Sequence, residues 1–261
     1  MSGELVRIDL LGPLEIGHSM KSAEFRDTAR VTATKPRQVL ALLAVNAETT
    51  VSVDRIIDEL WPDGPPNTVK TIVQTYVHQL RKMFAAVLEC PHSSDPITTK
   101  PDGYALTVPR ANIDAFRFQQ LVDRSRAELR GCNPVGAADL LREALALWRG
   151  PIPADLTSGP ALRGLAVYLE EARLEAVQLR IEADLTNNRH REIVAELRSL
   201  VETHRLHESF YLKLMEALHR SGRRGEALTV FGQLRRILDR ELGLKPSPEA
   251  RRLQHEILVS Q

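Results

Sequence analysis

Apolar and polar positions alternate in "LVRIDLLGPLEI", with Val6, Ile8 and Leu10 on one face, and the alternation breaks at Gly12-Pro13. This pattern predicts a strand, a turn and a second short strand. In "VTATKPRQVLALLAVNA" the period becomes helical. Thr34 is placed to cap, Pro36 lies in the first turn where its missing N–H costs nothing, and Val39, Leu40, Leu42 and Leu43 face a core. "VSVDRIIDELW" reads as a shorter helix capped by Ser52, with Ile56, Ile57 and Leu60 inward, and "PDGPP" breaks it. "NTVKTIVQTYVHQLRK" is a third and longer helix, starting at Asn67. "DPITTKPDGYALTVP" has the pattern of a β-hairpin, with Pro101 pre-set for the turn and Gly103 free to take φ > 0. Strands, three helices and a terminal hairpin describe a winged helix-turn-helix, in which the second and third helices form the helix-turn-helix and the hairpin is the wing.

Beyond "VPRANID", residues 109–113, almost every segment reads as helix, which divides the chain into domains at 1–110 and 111–261. Asp114 is placed to cap a helix that stops at Gly131, and Asn133 and Pro134 open another that runs to Trp148. Further helices are expected at 160–186, 190–203, 208–221, 224–242 and 247–258. "NNRHREIVAELRSL" (187–200) aligns with "SGRRGEALTVFGQL" (221–234), setting Glu192 over Glu226, Val194 over Leu228 and Leu200 over Leu234. A spacing of about 34 residues is the tetratricopeptide period, so these helices are expected to stack as hairpins, about three pairs in all. The fold class is mainly α with a small β part.

The third helix carries the candidate chemistry. At about 100° per residue from Asn67, the residues Val69, Ile72, Val73, Tyr76, Leu80, Met83, Phe84 and Val87 fall within one apolar arc. Asn67, Lys70, Thr71, Gln74, Thr75, His78, Arg81 and Lys82 fill the opposite arc, which holds no carboxylate. Solvated faces usually mix signs, because Glu–Lys pairs stabilise a helix. Arg and Lys suit guanine or phosphate, Asn and Gln suit adenine, and Thr can meet a thymine methyl, so this arc fits the major groove of double-stranded DNA. Lys35 and Arg37 at the start of the first helix suit a phosphate, and Lys100 at the wing tip suits phosphate or minor groove.

Charge sharpens this picture without deciding it. The 261 residues carry a formal charge of +1, and residues 1–110 alone hold 12 Lys+Arg against 13 Asp+Glu. Asp54, Asp58, Glu59 and Asp63 supply the imbalance from the second helix and its exit, a segregated acidic patch that could meet a basic partner. No apolar run approaches the length of a membrane span, and Cys90 and Cys132 are isolated, which fits a reduced, cytoplasmic protein with no disulfide framework and no membrane. No metal-ligand spacing, GxSxG, GxGxxG or Cys–His pair occurs; His204 and His207 lack a completing ligand, and Trp61 and Trp148 read as packing at helix ends. No enzyme activity and no cofactor are expected.

The stretch from "TKPRQVLALLAVNAETTVSVDRIIDELW" through "NTVKTIVQTYVHQLRK" resembles the OmpR-type winged helix of the Streptomyces antibiotic regulatory protein family. "ALALWRGP", "HRLHESFYLKLMEALHRSGRRGEAL" and "RELGLKPSPE" resemble that family's tetratricopeptide-like bacterial transcriptional activation domain. The resemblance covers nearly the whole chain. It implies a transcriptional activator of a secondary-metabolite (antibiotic) gene cluster that binds direct repeats at promoters as two protomers side by side, and recruits RNA polymerase including its sigma factor. By position it assigns DNA contact to Asn67, Lys70, Thr71, Gln74, Thr75, His78, Arg81, Lys82 and Lys100, and polymerase contact to Asp54, Asp58, Glu59 and Asp63. The chain departs from larger members in lacking a phosphate loop, a phosphopeptide-binding domain and a receiver domain. The wing reads "PDGY" where relatives often have Gly-Gly-Tyr, and Asp102 would repel a phosphate if turned towards it. Two other readings follow from the residues: a helical-repeat scaffold whose winged helix is only a docking surface, and a regulator whose repeats bind a small ligand.

Overall fold

Two three-stranded antiparallel sheets frame the N-terminal helices in the computed structural model, which describes residues 6–18, 28–88, 95–153, 156 and 159–260. β1 (Val6–Asp9), β2 (Glu15–His18) and β3 (Thr28–Arg30) form the first sheet in that order, with Ile8 opposite Ile16 and Ile16 opposite Ala29. The strand–turn–strand start is as expected; β3 has only three residues and no alternation to betray it. Gly12 turns the chain at φ +130°, a region L side chains avoid, and a Cβ there would sit 3.1 Å from the Gly150 nitrogen.

α1 (Thr34–Val45), α2 (Val53–Leu60) and α3 (Val69–Leu88) follow. Thr34 is the first helical residue of α1, one position past the cap, which Ala33 holds without a side-chain bond. Ser52 does cap α2, accepting from the Arg55 N–H at 3.2 Å. Val39, Leu40, Leu42 and Leu43 of α1, Ile56 and Leu60 of α2, and Val73, Val77, Leu80 and Phe84 of α3 are buried together. Truncation of a fully buried residue such as Phe84 costs about 3–5 kcal/mol.

The wing is β5 (Ile97–Lys100) and β6 (Gly103–Leu106), joined through Pro101-Asp102. A third strand, β4 (Thr50–Ser52), pairs with β6 and was hidden in sequence by its fusion to α2. Gly103 is needed here for a different reason from the expected one. Its φ is not positive, but a Cβ would lie 1.9 Å from the Val51 carbonyl oxygen, so the close pairing of β4 and β6 excludes any side chain.

Two compact units emerge: residues 1–123 with 143–174, and residues 124–142 with 175–261. α4 (Asp114–Arg130), α5 (Pro134–Ala146) and α6 (Pro160–Thr186) each contribute to both. In the first unit Asp114 does not cap its own helix. Its buried carboxylate accepts the Leu10 and Leu11 N–H groups at 2.7 and 2.9 Å, pinning the β1–β2 turn to the start of α4. Trp148 meets Phe118 edge-on at 5.7 Å, beneath the Arg173 guanidinium at 4.7 Å.

In the second unit α7 (Val194–Thr203), α8 (Glu208–Arg220), α9 (Arg224–Leu242) and α10 (Pro248–Val259) pack in succession. The 34-residue register reaches the backbone. Asn188 and Gly222 both adopt φ > 0 (59° and 77°), and each ends a helix with the same pair of bonds. Asn188 N–H meets Leu185 O and Arg189 N–H meets Asp184 O; Gly222 N–H meets His219 O and Arg223 N–H meets Leu218 O. The side chains repeat as well, in the Arg189–Glu192 and Arg223–Glu226 ion pairs, each 2.7 Å. His204 and His207 tilt over Phe210 at 5.6 and 4.7 Å.

Candidate nucleic-acid interface

The connection between α2 and α3 is held from several directions. Trp61 ends α2, its N–H bonded to the Ile57 carbonyl, and its ring stacks on Tyr76 of α3 at 6.3 Å. Gly64 turns at φ +119°, and the Val69 N–H is bonded to the Pro66 carbonyl. α3 therefore begins at Val69, and Asn67 lies in the turn before it.

Lys70, Thr71, Gln74, Thr75, His78 and Lys82 are exposed along α3, with Asn67 exposed just ahead, and no carboxylate belongs to this set. Thr75 spends its hydroxyl proton on the Thr71 carbonyl at 3.0 Å, leaving its methyl and lone pairs outward. The buried residues Val73, Val77, Leu80, Phe84, Val87 and Leu88 define a core direction turned by about 50° from the expected apolar arc. Ile72, Tyr76 and Met83 are half-buried at its edge, and Gln79, in neither expected arc, is exposed.

That rotation brings Arg81 to the margin of the core. Its guanidinium donates to the Ile97 carbonyl at 2.7 and 3.2 Å and to the Thr99 hydroxyl at 2.9 Å, and pairs with Asp95. Arg81 thus ties α3 to the wing strand and is not a free member of the reading face. Lys35 is likewise engaged: its ammonium donates to the Leu60 carbonyl at the end of α2 and lies 5.3 Å from the centre of the Trp61 ring. Burial lowers the Lys35 amine from its ordinary value, and burial does the same for the half-buried Arg37. Lys100 is exposed at the wing, with Asp102 exposed beside it; the Asp102 carbonyl accepts from the Val53 N–H at 3.0 Å.

The acidic patch loses one member. Asp54, Asp58 and Asp63 are exposed, but Glu59 is 3% exposed. Its two oxygens accept the Ala161 and Leu162 N–H groups at 2.9 and 2.8 Å, the otherwise unsatisfied donors at the start of α6. Gly159 permits this approach, since a Cβ there would fall 2.3 Å from the Glu59 carboxyl carbon. Sequence reasoning missed this bond because the partner is 102 residues away and nothing local marks it.

An exposed polar face on the third helix, beside a three-stranded wing, is the arrangement of a DNA-reading domain. Residues 29–106 match the family described as transcriptional regulatory protein, C terminal, and residues 113–258 match the bacterial transcriptional activator domain. The regulatory protein DnrI of Streptomyces peucetius is 38% identical over 97% of this chain and 92% of its own length. The chain belongs to the Streptomyces antibiotic regulatory protein family. Other members of the family are similar along nearly the whole chain. The transcriptional regulator RedD of Streptomyces coelicolor is 35% identical over 98% of this chain and 71% of its own length. AfsR of the same organism is 34% identical over 98% of this chain, which spans 24% of that larger regulator. Among solved structures, Mycobacterium tuberculosis EmbR in complex with a low-affinity phosphopeptide superposes with a TM-score of 0.85 at 28% identity, over 98% of this chain and 65% of that one. As a family member the chain is a transcriptional activator, a winged helix-turn-helix followed by a helical activation domain. No described helix is long and apolar enough to cross a membrane.

Proposed function

We propose that this activator binds direct repeats at the promoters of an antibiotic or other secondary-metabolite gene cluster, two protomers side by side, and recruits RNA polymerase including its sigma factor. Residues 1–110 act as the DNA-binding domain and 111–261 as the activation domain. The observation that carries the reading is the exposed, carboxylate-free face of α3, from Asn67 to Lys82, next to Lys100 of the wing. Lys70 and Lys82 meet phosphates or guanines, while Gln74, His78 and Asn67 meet base edges. The relatives' names as regulators, and the exposure of Asp54, Asp58 and Asp63 on α2 and its exit, support the rest.

The test is a gel shift and footprint on the promoter region of the neighbouring gene cluster, with in vitro transcription on the same fragment. Lys70→Ala, Gln74→Ala and Lys82→Ala combined should weaken binding at least about tenfold. Asp54→Ala with Asp58→Ala should leave the footprint, two half-sites in the same direction, and lower the transcript. Undiminished binding by the first variant would rule out α3 as the reading helix; a single or inverted footprint would rule out the direct-repeat arrangement.

A further inference from the structure

The motif "RELGLKPSPE" at the end of α9 has no part in DNA reading, yet it builds a distinctive surface. α9 stops at Gly243, which takes φ +65°, and the chain then crosses to α10 through Leu244, Lys245 and Pro246. This leaves an open cleft of about 520 Å³. Phe231, Leu244 and Pro246 give it an apolar lining, and Leu244 is 55% exposed. Arg235, Arg236, Lys245 and Arg251 surround that lining.

These cations differ from most on the helical repeats. Arg189, Arg220 and Arg223 each form an ion pair with a carboxylate on the same helix or turn, which neutralises the surface locally. Among the described residues, no carboxylate pairs with Arg235, Arg236, Lys245 or Arg251, and Arg236 donates only to the Gly232 carbonyl. Asp239 is the one acid in the lining. Unpaired cations around a concave apolar floor combine charge attraction at the rim with burial at the centre, the layout of a protein docking site. Nucleic acid fits less well, because Asp239 in the lining opposes a continuous row of phosphates and Gln254 is the one neutral polar side chain there to meet a base.

We propose that this cleft docks an acidic peptide segment of a partner protein, seating an apolar side chain over Phe231 and Leu244 while flanking carboxylates pair with Arg235, Lys245 and Arg251. The proposal does not rest on the DNA-binding reading.

The experiment uses the full chain and a fluorescein-labelled peptide in which Asp-Asp-Leu-Phe is repeated three times, followed by anisotropy. Saturable binding that weakens with salt is expected. It should fall about tenfold for Lys245→Glu with Arg251→Glu and several-fold for Leu244→Ser, and be lost for the peptide with Asn in place of Asp. Gel shifts on promoter DNA should be unchanged for both variants, which separates this site from α3. If the double variant melts early, Leu244→Ser and the Asn peptide decide the matter on intact protein. Absence of binding, binding indifferent to these changes, or displacement by an equal concentration of oligothymidylate would each overturn the proposal, the last by showing a general polyanion surface.

Discussion

α2 and α3 make an instructive pair. One carries a cluster of acids and the other a face free of them, so in sequence each set looks like a surface of one character. In each, however, one residue of the set has been drawn into the fold by backbone groups that lack partners. Glu59 of α2 turns inward to the N–H groups that open α6, and Arg81 of α3 turns aside to the Ile97 carbonyl. Asp54, Asp58, Lys70 and Lys82, from the same two sets, stay exposed. Residue type therefore told what a position could bind, and the supply of unsatisfied backbone donors and acceptors decided whether it was still available.

The largest effect should come from breaking the inward contact on α2. Glu59→Ala removes a charged acceptor from the Ala161 N–H and strands the N–H of buried Leu162, at about 3 kcal/mol together, and Glu59→Gln, which keeps one acceptor, should cost roughly half. Asp58→Ala one position earlier should leave stability within about 0.5 kcal/mol. Urea unfolding of the three variants measures this directly. Equal midpoints for Glu59→Ala and Asp58→Ala would mean that Glu59 belongs with the exposed acids after all.

This contrast also marks where the sequence was legible. Periodic features were read well: the cores of α1 and α2, the wing, the long α6 and the 34-residue register of Asn188 with Gly222. Local chemistry with a local partner was read too, as with Ser52. Contacts across long separations were not. Asp114 was taken as a cap for its own helix and instead serves Leu10 and Leu11. Lys35 was assigned to phosphate and instead closes the end of α2. On α3 the expected apolar arc runs from Ile72 through Tyr76 to Phe84, but Tyr76 stacks on Trp61 at the half-buried edge and the true core lies nearer Val73 and Val77. That displacement placed Arg81 on the wrong side of the boundary.

Asp114 extends the comparison to a second carboxylate that serves two backbone donors. Burial, reinforced by the nearby Asp9 charge, pushes its carboxyl up to about 7 against the opposing pull of the Leu10 and Leu11 N–H groups and Arg149. The folded protein then keeps a proton up to about pH 7 that the unfolded chain releases near its ordinary 3.8. Across that window the folded state binds the extra proton, so this group's contribution to stability shrinks as pH rises and is flat above it. From pH 5 to pH 8 the stability gap between the native protein and Asp114→Asn should narrow by about 2–3 kcal/mol, measured by urea unfolding at each pH. A gap independent of pH would show that Asp114 is ionised throughout.

The finest test separates Arg81 from its neighbour on α3. Arg81→Ala removes the tie to the wing and should lower stability by about 1 kcal/mol. Promoter affinity should drop with it, because Lys100 is no longer held in register, but the slope of log affinity against log salt should stay the same. Lys82→Ala should do the reverse: an unchanged melting curve and a salt slope reduced by about one, the signature of a single lost phosphate contact. If Arg81→Ala alone reduced the slope, its guanidinium would have to leave Ile97 and Thr99 on meeting DNA, and the reading face of α3 would include it once the groove is engaged.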